Sequence, residues 1–166
     1  MAKICDFVKH YTDSGKMRLH MPGHKGSRLL GPEPWDLTEV DGADSLYEAE
    51  GIIRESEENA SRLFGVRTFY STEGSSQCIR AMVYLAMLWG KQQGRRPLIA
   101  AARNAHKTFL SAAALLDVEV QWLYPRKADS YLSCLLDAED LACALSAMAE
   151  KPAAVYLTSP DYLGNV

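Results

Sequence analysis

The chain has 166 residues, a formal net charge of −3 at pH 7, 48% apolar residues and 23% charged ones. That is ordinary globular usage for about one domain, and the slight acidity gives no reason to expect nucleic acid or an anionic membrane as a partner. No apolar run approaches the ~20 residues of a membrane-spanning helix, and Met1 to Lys16 is mixed polar, unlike a signal peptide, so a cytoplasmic protein is expected.

Periodicity sets the elements in chain order. Lys3 to Tyr11 is expected to form a short helix with Ile4, Phe7, Val8 and Tyr11 on one face. Met17 to Glu50 is rich in Gly, Pro and Asp, a long irregular stretch of the kind that is functional or docked on something. Within it, Leu19-His20-Met21-Pro22-Gly23-His24-Lys25-Gly26 gathers two histidines and a lysine around a Pro-Gly turn. Pro lacks a donor and Gly resists ordering, so this run reads as a loop presenting cationic and titratable groups, either to an anionic ligand or as an ordinary basic surface loop. The carboxylates from Asp41 to Glu58 read mostly as a solvated face. For Asp41 and Asp44 a role toward a basic ligand stays open.

Gly51 to Phe64 is expected to be helical and to end at Gly65 in a C′ position. Strands and helices then alternate: Thr68 to Ser71, Ser75 to Lys91, Leu98 to Ala102, Ala105 to Leu116, Val118 to Tyr124, Ala138 to Glu150 and Ala153 to Thr158. Such alternation predicts an α/β fold with a mostly parallel sheet and flanking helices. Val118 to Tyr124 alternates apolar and polar residues, which suits an edge strand. Gly74-Ser75-Ser76 stands between a predicted strand and an apolar helix expected to be buried, where unpaired amides and the helix dipole make an anion site. Plain capping by Ser75 or Ser76 is the competing reading. His106 falls where a strand ends and a helix begins, the edge at which open α/β sheets bind ligands. Cys5, Cys78, Cys134 and Cys143 have no zinc or C-x-x-C spacing, and no metal site is expected. Cys78 and Cys143 read as buried free thiols in helices.

Six segments now appear in a telling order: Met21 to Gly26, Asp36 to Leu46, Glu50-Gly51, Glu73 to Ser76, Arg103-Asn104-Ala105-His106-Lys107, and Thr158 to Gly164. From about Met17 onward the chain resembles the amino-terminal half of the major domain of the Orn/Lys/Arg decarboxylases. These are pyridoxal-phosphate enzymes of the aspartate-aminotransferase fold, fold type I. The resemblance implies an incomplete part of that large domain: residues 1–50 as a helix and loop-rich arm, and 51–166 as a partial α/β domain truncated at its carboxyl end. It implies that Gly74, Ser75 and Ser76 hold the cofactor phosphate and that His106, a catalytic residue, stacks on the pyridine ring. By the same resemblance Ser159 faces the cofactor pocket, and His24 and Lys25 lie at the active-site mouth near a partner subunit.

Two residues depart from the family pattern. Glu73 stands where Asn is common, and Asp161 where Thr is common. The family's Schiff-base lysine and the aspartate that pairs with the pyridine nitrogen lie further along than these residues reach. The resemblance therefore implies a fragment of a homo-oligomeric decarboxylase of arginine, lysine or ornithine, inactive alone, and a sheet without its later strands is expected to leave open edges that make it prone to self-association. An aminotransferase-like fragment of the same fold and a non-catalytic truncated α/β domain are the alternatives, and the Pro-Gly-His-Lys-Gly run argues against the former.

Overall fold

The structure, a computed structural model, describes residues 3–126 and 134–165. The chain divides into two units, Met1–Thr72 and Glu73–Val166.

The first unit is held mainly by side chains that bond backbone. Helix α1 (Lys3–Asp13) runs two residues past its expected end and packs against α2 (Ile52–Phe64) and a short 3-10 helix at Glu33–Trp35. Phe7 and Tyr11, one turn apart on α1, stack with ring centroids 6.1 Å apart, and Lys3 pairs with Glu55 at 3.1 Å. The loop-rich stretch folds around three polar anchors. Arg18 lies over the Tyr11 ring and donates to the Pro34 carbonyl at 2.7 Å. The buried Glu33 accepts the Leu30 and Gly31 amides at 2.6 and 2.8 Å.

Asp44 is the third anchor. Its Oδ1 accepts the amides of Ser45 and Glu50, both at 2.9 Å. Its Oδ2 accepts those of Gly51, Ile53 and Arg54 at 2.8, 2.9 and 3.3 Å. Gly51, the residue at the helix start, has no side chain to cap with, so a carboxylate from a distant loop satisfies the first amides of α2. The Glu50 amide foremost, with those of Ser45, Gly51 and Arg54, outweighs desolvation and holds this carboxyl well below the usual range. The question left open for Asp44 is thereby answered: both its oxygens serve the backbone. Helix α2 ends as expected, with Gly65 at φ 70°.

The strand expected at Thr68 to Ser71 does not form. Its amides go to α2 side chains instead, Thr68 to Ser61 Oγ at 2.9 Å and Tyr70 to Glu57 Oε1 at 2.8 Å. A segment tied to a helix in this way has no ladder to join.

Among the described residues the second unit is a parallel sheet of three strands, ordered β2-β1-β3, with β1 at Leu98–Ala102, β2 at Glu119–Leu123 and β3 at Ala154–Tyr156. Every residue of β1 is buried, as an apolar central strand requires. Strand β2 lies at an edge, and its outer residues alternate in exposure as its sequence predicts. One face of the sheet carries Ile99, Ala101, Val120, Trp122, Ala154 and Tyr156 against Ile79, Val83 and Met87 of α3 (Ser75–Gln92) and Phe109, Ala112 and Ala113 of α4 (Lys107–Leu115). Phe109 is completely buried, stacked on Tyr156 at 4.3 Å and edge-on to Trp122 at 6.4 Å. Helices α4 and α5 (Ala138–Ala147) lie on opposite faces. Ala144 and Ala147 of α5 accordingly lie beside Leu98, Glu119 and Gln121.

Two expectations fail here. Helix α3 is not buried all round: Val83 and Gly90 are, but Met82, Leu85 and Trp89 are 53%, 62% and 47% exposed. Cys78 and Cys143 do sit on helices but on their outer faces, and are exposed free thiols. An apolar sequence reports that a face is fit for covering, and this sheet covers only the stripe that touches it. Among the described residues no helix is long and apolar enough to cross a membrane.

Candidate functional site

Two helices begin at the carboxyl end of the sheet, and one hydrogen-bonded line joins them. Gly74 precedes α3 at φ 65° and ψ −164°, a conformation that side-chain-bearing residues avoid, and it turns the chain sharply into the helix. Among the described residues no side chain caps α3, so the capping reading of Ser75 and Ser76 does not hold. Their amides open a helix whose dipole is positive at that end. From β1 the chain passes through Arg103, whose guanidinium lies 5.2 Å from the centre of the Trp122 ring, to His106 at the start of α4. His106 Nδ1 accepts the Thr108 amide at 3.2 Å and lies 3.0 Å from the Thr108 hydroxyl. That hydroxyl lies 3.2 Å from Ser76 Oγ. Ser76 and His106, thirty positions apart in sequence, are thus linked through the buried Thr108.

Nδ1 accepts an N–H, so the ring proton of His106 is on Nε2. The charge of Glu73 is answered locally, since Arg80 one helical stretch away pairs with it at 2.9 Å and also donates to Gln77. The donor set is therefore the amides at the start of α3 and the Ser75 hydroxyl, with the nearby carboxylate paired. A phosphate ester fits such a place. A pyridoxal phosphate would be held by Gly74, Ser75 and Ser76 at its phosphate, with His106 available to its ring.

A cleft of about 770 Å³ opens beside this, between the carboxyl ends of β1 and β3. The order 2-1-3 reverses direction at β1, so this is the crevice in which open α/β sheets take ligands. Ala102, Asn104, Thr158 and Ser159 line it together with Arg126, Asp137, Glu139 and Asp140. Ser76 and His106 lie outside that lining. Arg126 bridges Glu139 at 3.0 Å and Asp140 at 2.5 Å, and its guanidinium holds the Asp140 carboxyl below the ordinary range. Ser159 precedes a cis proline. Asp161 folds the loop after it, accepting the Leu163 and Asn165 amides at 2.8 and 2.9 Å and the Asn165 side-chain amide at 2.9 Å. The Asn165 side chain, then its backbone, lowers the Asp161 carboxyl. This departure from the family pattern therefore has a loop-forming partner set of its own.

His24 and Lys25 belong to the first unit. His24 donates from Nε2 to Asp36 at 3.1 Å and accepts the Gly26 amide at Nδ1 at 3.0 Å, which fixes its ring. Lys25 adopts a left-handed conformation at φ 53° and donates to the His20 carbonyl. Among the described residues no group of three or more His, Cys, Asp and Glu could hold a metal ion.

Sequence reading missed Thr108 and Arg80. The spacing was there to find both: Thr108 stands two residues after a capping position, where its amide is an orphan, and Arg80 stands on the α3 face that returns to Glu73.

The chain is 26% identical over 170 residues to an arginine decarboxylase of Bacillus subtilis, covering 95% of this chain and 33% of that protein. It is 28% identical over 129 residues to an arginine decarboxylase of Bacillus anthracis, covering 71% and 25%. It thus spans a quarter to a third of the length of these curated relatives. In fold it matches lysine decarboxylase A from Pseudomonas aeruginosa with a TM-score of 0.59 at 23% identity, over 88% of this chain and 22% of that one. The family model described as "Orn/Lys/Arg decarboxylase, major domain" matches residues 4–166. The chain belongs to the Orn/Lys/Arg decarboxylase family.

Proposed function

We propose that this chain is an amino-terminal part of the major domain of a pyridoxal-phosphate-dependent, cytoplasmic decarboxylase of a basic amino acid, arginine, lysine or ornithine. Residues 1–50 form its arm and 51–166 part of its α/β domain. The observation that carries the reading is the Ser76–Thr108–His106 line joining two helix starts at one sheet edge, in a chain that matches the family over residues 4–166.

In this reading the amides of Ser75 and Ser76 bind the phosphate, and Gly74 lets the backbone approach it. His106, its Nδ1 held by Thr108, sets its ring against the pyridine. Ser159 borders the neighbouring cleft, and the resemblance assigns His24 and Lys25 to the active-site mouth. The bound cofactor supplies the electron sink for loss of the carboxylate. The lysine that anchors the cofactor lies outside these residues, so the chain alone turns over no substrate. The exposed Met82, Leu85 and Trp89 on one stripe of α3 support docking into a larger, homo-oligomeric body.

Isothermal titration with 4-deoxypyridoxine 5′-phosphate, which lacks the aldehyde and so cannot react with surface lysines, tests the site. It should bind at least about tenfold more tightly than 4-deoxypyridoxine, a difference of roughly 1.4 kcal/mol. Equal binding of the two would sink the phosphate assignment. Release of CO2 from arginine, lysine or ornithine by this chain with added pyridoxal phosphate would overturn the fragment reading.

A further inference from the structure

The side chain that links the two halves of the site binds no part of the cofactor itself. Thr108 is 7% exposed, and its hydroxyl touches both Ser76 Oγ and His106 Nδ1. We propose that Thr108 is a positioning residue that orients the His106 imidazole and couples it to the Ser76 end of the phosphate site. The coupling to phosphate rests on the cofactor reading above.

The hydrogens can be assigned in order. His106 Nδ1 accepts the Thr108 amide, so it carries no proton. A hydroxyl 3.0 Å from an unprotonated ring nitrogen donates to it. Thr108 has one hydroxyl hydrogen, and it is directed to His106. Its oxygen keeps lone pairs free, and Ser76, 3.2 Å away, donates to one of them. Donation runs from Ser76 through Thr108 to His106.

Two consequences follow. The imidazole is held at one nitrogen by two donors from the same residue, which fixes the ring plane and leaves the Nε2–H edge pointing away from α4's first turn. The Ser76 hydroxyl hydrogen is turned toward Thr108, so the phosphate is met by the Ser75 and Ser76 amides and the Ser75 hydroxyl. Donors arranged in series polarise one another, so a change at Ser76 is felt at the ring.

The test is the ¹⁵N resonance of His106 Nδ1 in the ligand-free chain, identified by its loss in His106→Asn. Thr108→Val should move it toward that of an unbonded ring nitrogen, and Thr108→Ser should restore it. Ser76→Ala, which does not touch the ring, should move it in the same direction by less. In titrations, Thr108→Val should weaken 4-deoxypyridoxine 5′-phosphate about three- to tenfold, the loss of one hydrogen bond, with Thr108→Ser close to the parent. If Thr108→Val fails to fold, Ser76→Ala and Thr108→Ser still decide. An Nδ1 resonance unmoved by Thr108→Val or by Ser76→Ala overturns the proposal. Failure of the parent chain to bind the phosphate ligand overturns the cofactor reading, and the ring resonance still decides whether Thr108 positions His106.

Discussion

Replacing Gly90 with alanine sets two opposing effects against each other. Gly90 lies inside α3, where alanine is favoured over glycine by about 0.8–1.0 kcal/mol. An added Cβ would stand 2.6 Å from Ala153 Cβ and 3.5 Å from Ala153 Cα. Carbon atoms rest at roughly 3.5–4.0 Å, so the overlap is about 1 Å. Neither side can yield cheaply. Ala153 is 4% exposed, and its amide is bonded to Leu98 of the central strand at 2.8 Å. The Gly90 carbonyl accepts the amides of Gln93 and Arg95 at 3.0 and 2.9 Å. Overpacking of this kind costs about 1–3 kcal/mol, so Gly90→Ala should destabilise by roughly 1 kcal/mol net. Urea unfolding followed by far-UV circular dichroism measures it. The decisive arm is a cycle with Ala153→Gly, which removes the opposing methyl. The two changes should couple favourably by about 1–3 kcal/mol. A Gly90→Ala chain more stable than the parent, or a cycle with no coupling, would refute the close approach of α3 to the start of β3.

Phe109→Ala removes the ring at the centre of the aromatic stack and should cost about 3–5 kcal/mol in the same assay; a loss below about 1 kcal/mol would contradict its full burial. Asp44→Asn keeps the backbone conformation but loses one carboxylate oxygen as a strong acceptor, so amide exchange at Gly51, Ile53 and Arg54 should quicken while the sheet is unaffected, and unchanged protection there would rule out the cap. Arg80→Ala should weaken phosphate binding roughly two- to fivefold by removing the cation 2.9 Å from Glu73 at a largely exposed site, and equal binding would show that the pair is irrelevant to the anion. The Asp44, Asp140 and Asp161 carboxyls are lowered, as is Glu33, where burial pushes upward but the Leu30 and Gly31 amides pull further down. Their contributions are therefore complete above the ordinary carboxylate range near pH ~4 and are lost as pH falls through the lowered values. Burial raises the Tyr156 phenol, so its contribution is complete below about pH 10 and is lost as pH rises further. Thermal unfolding should show a plateau between these limbs, and a maximum near pH 3 would contradict the carboxylate assignments.

The sheet was legible because its signals are local. Leu98 to Ala102 is apolar throughout and emerges as the buried centre, and the alternation from Val118 emerges as an edge. The start of α3 was legible from Gly74, and the placement of His106 from the strand before it. What failed depended on partners remote in sequence. Thr68 to Ser71 has strand-forming residues, yet Ser61 and Glu57 take its amides. Apolar composition alone could not say which stripe of α3 the sheet would cover, nor that Cys78 and Cys143 would face outward. The Ser76–Thr108 contact joins positions 32 apart, beyond the reach of any periodicity.

Position 44 also limits which residues the arm can carry there. The backbone at Asp44 is left-handed, at φ 71°, a region that Gly, Asn and Asp enter most readily. The five amides converging on its side chain call instead for two ionised oxygens, which only Asp and Glu provide. Gly satisfies the first demand and fails the second. Glu satisfies the second, but carries its oxygens one methylene too far from a backbone it does not favour. Asn comes nearest but offers a single acceptor. The overlap of the two demands contains one amino acid, so the shape of a long stretch without regular structure hangs on a choice that genetic drift cannot freely vary.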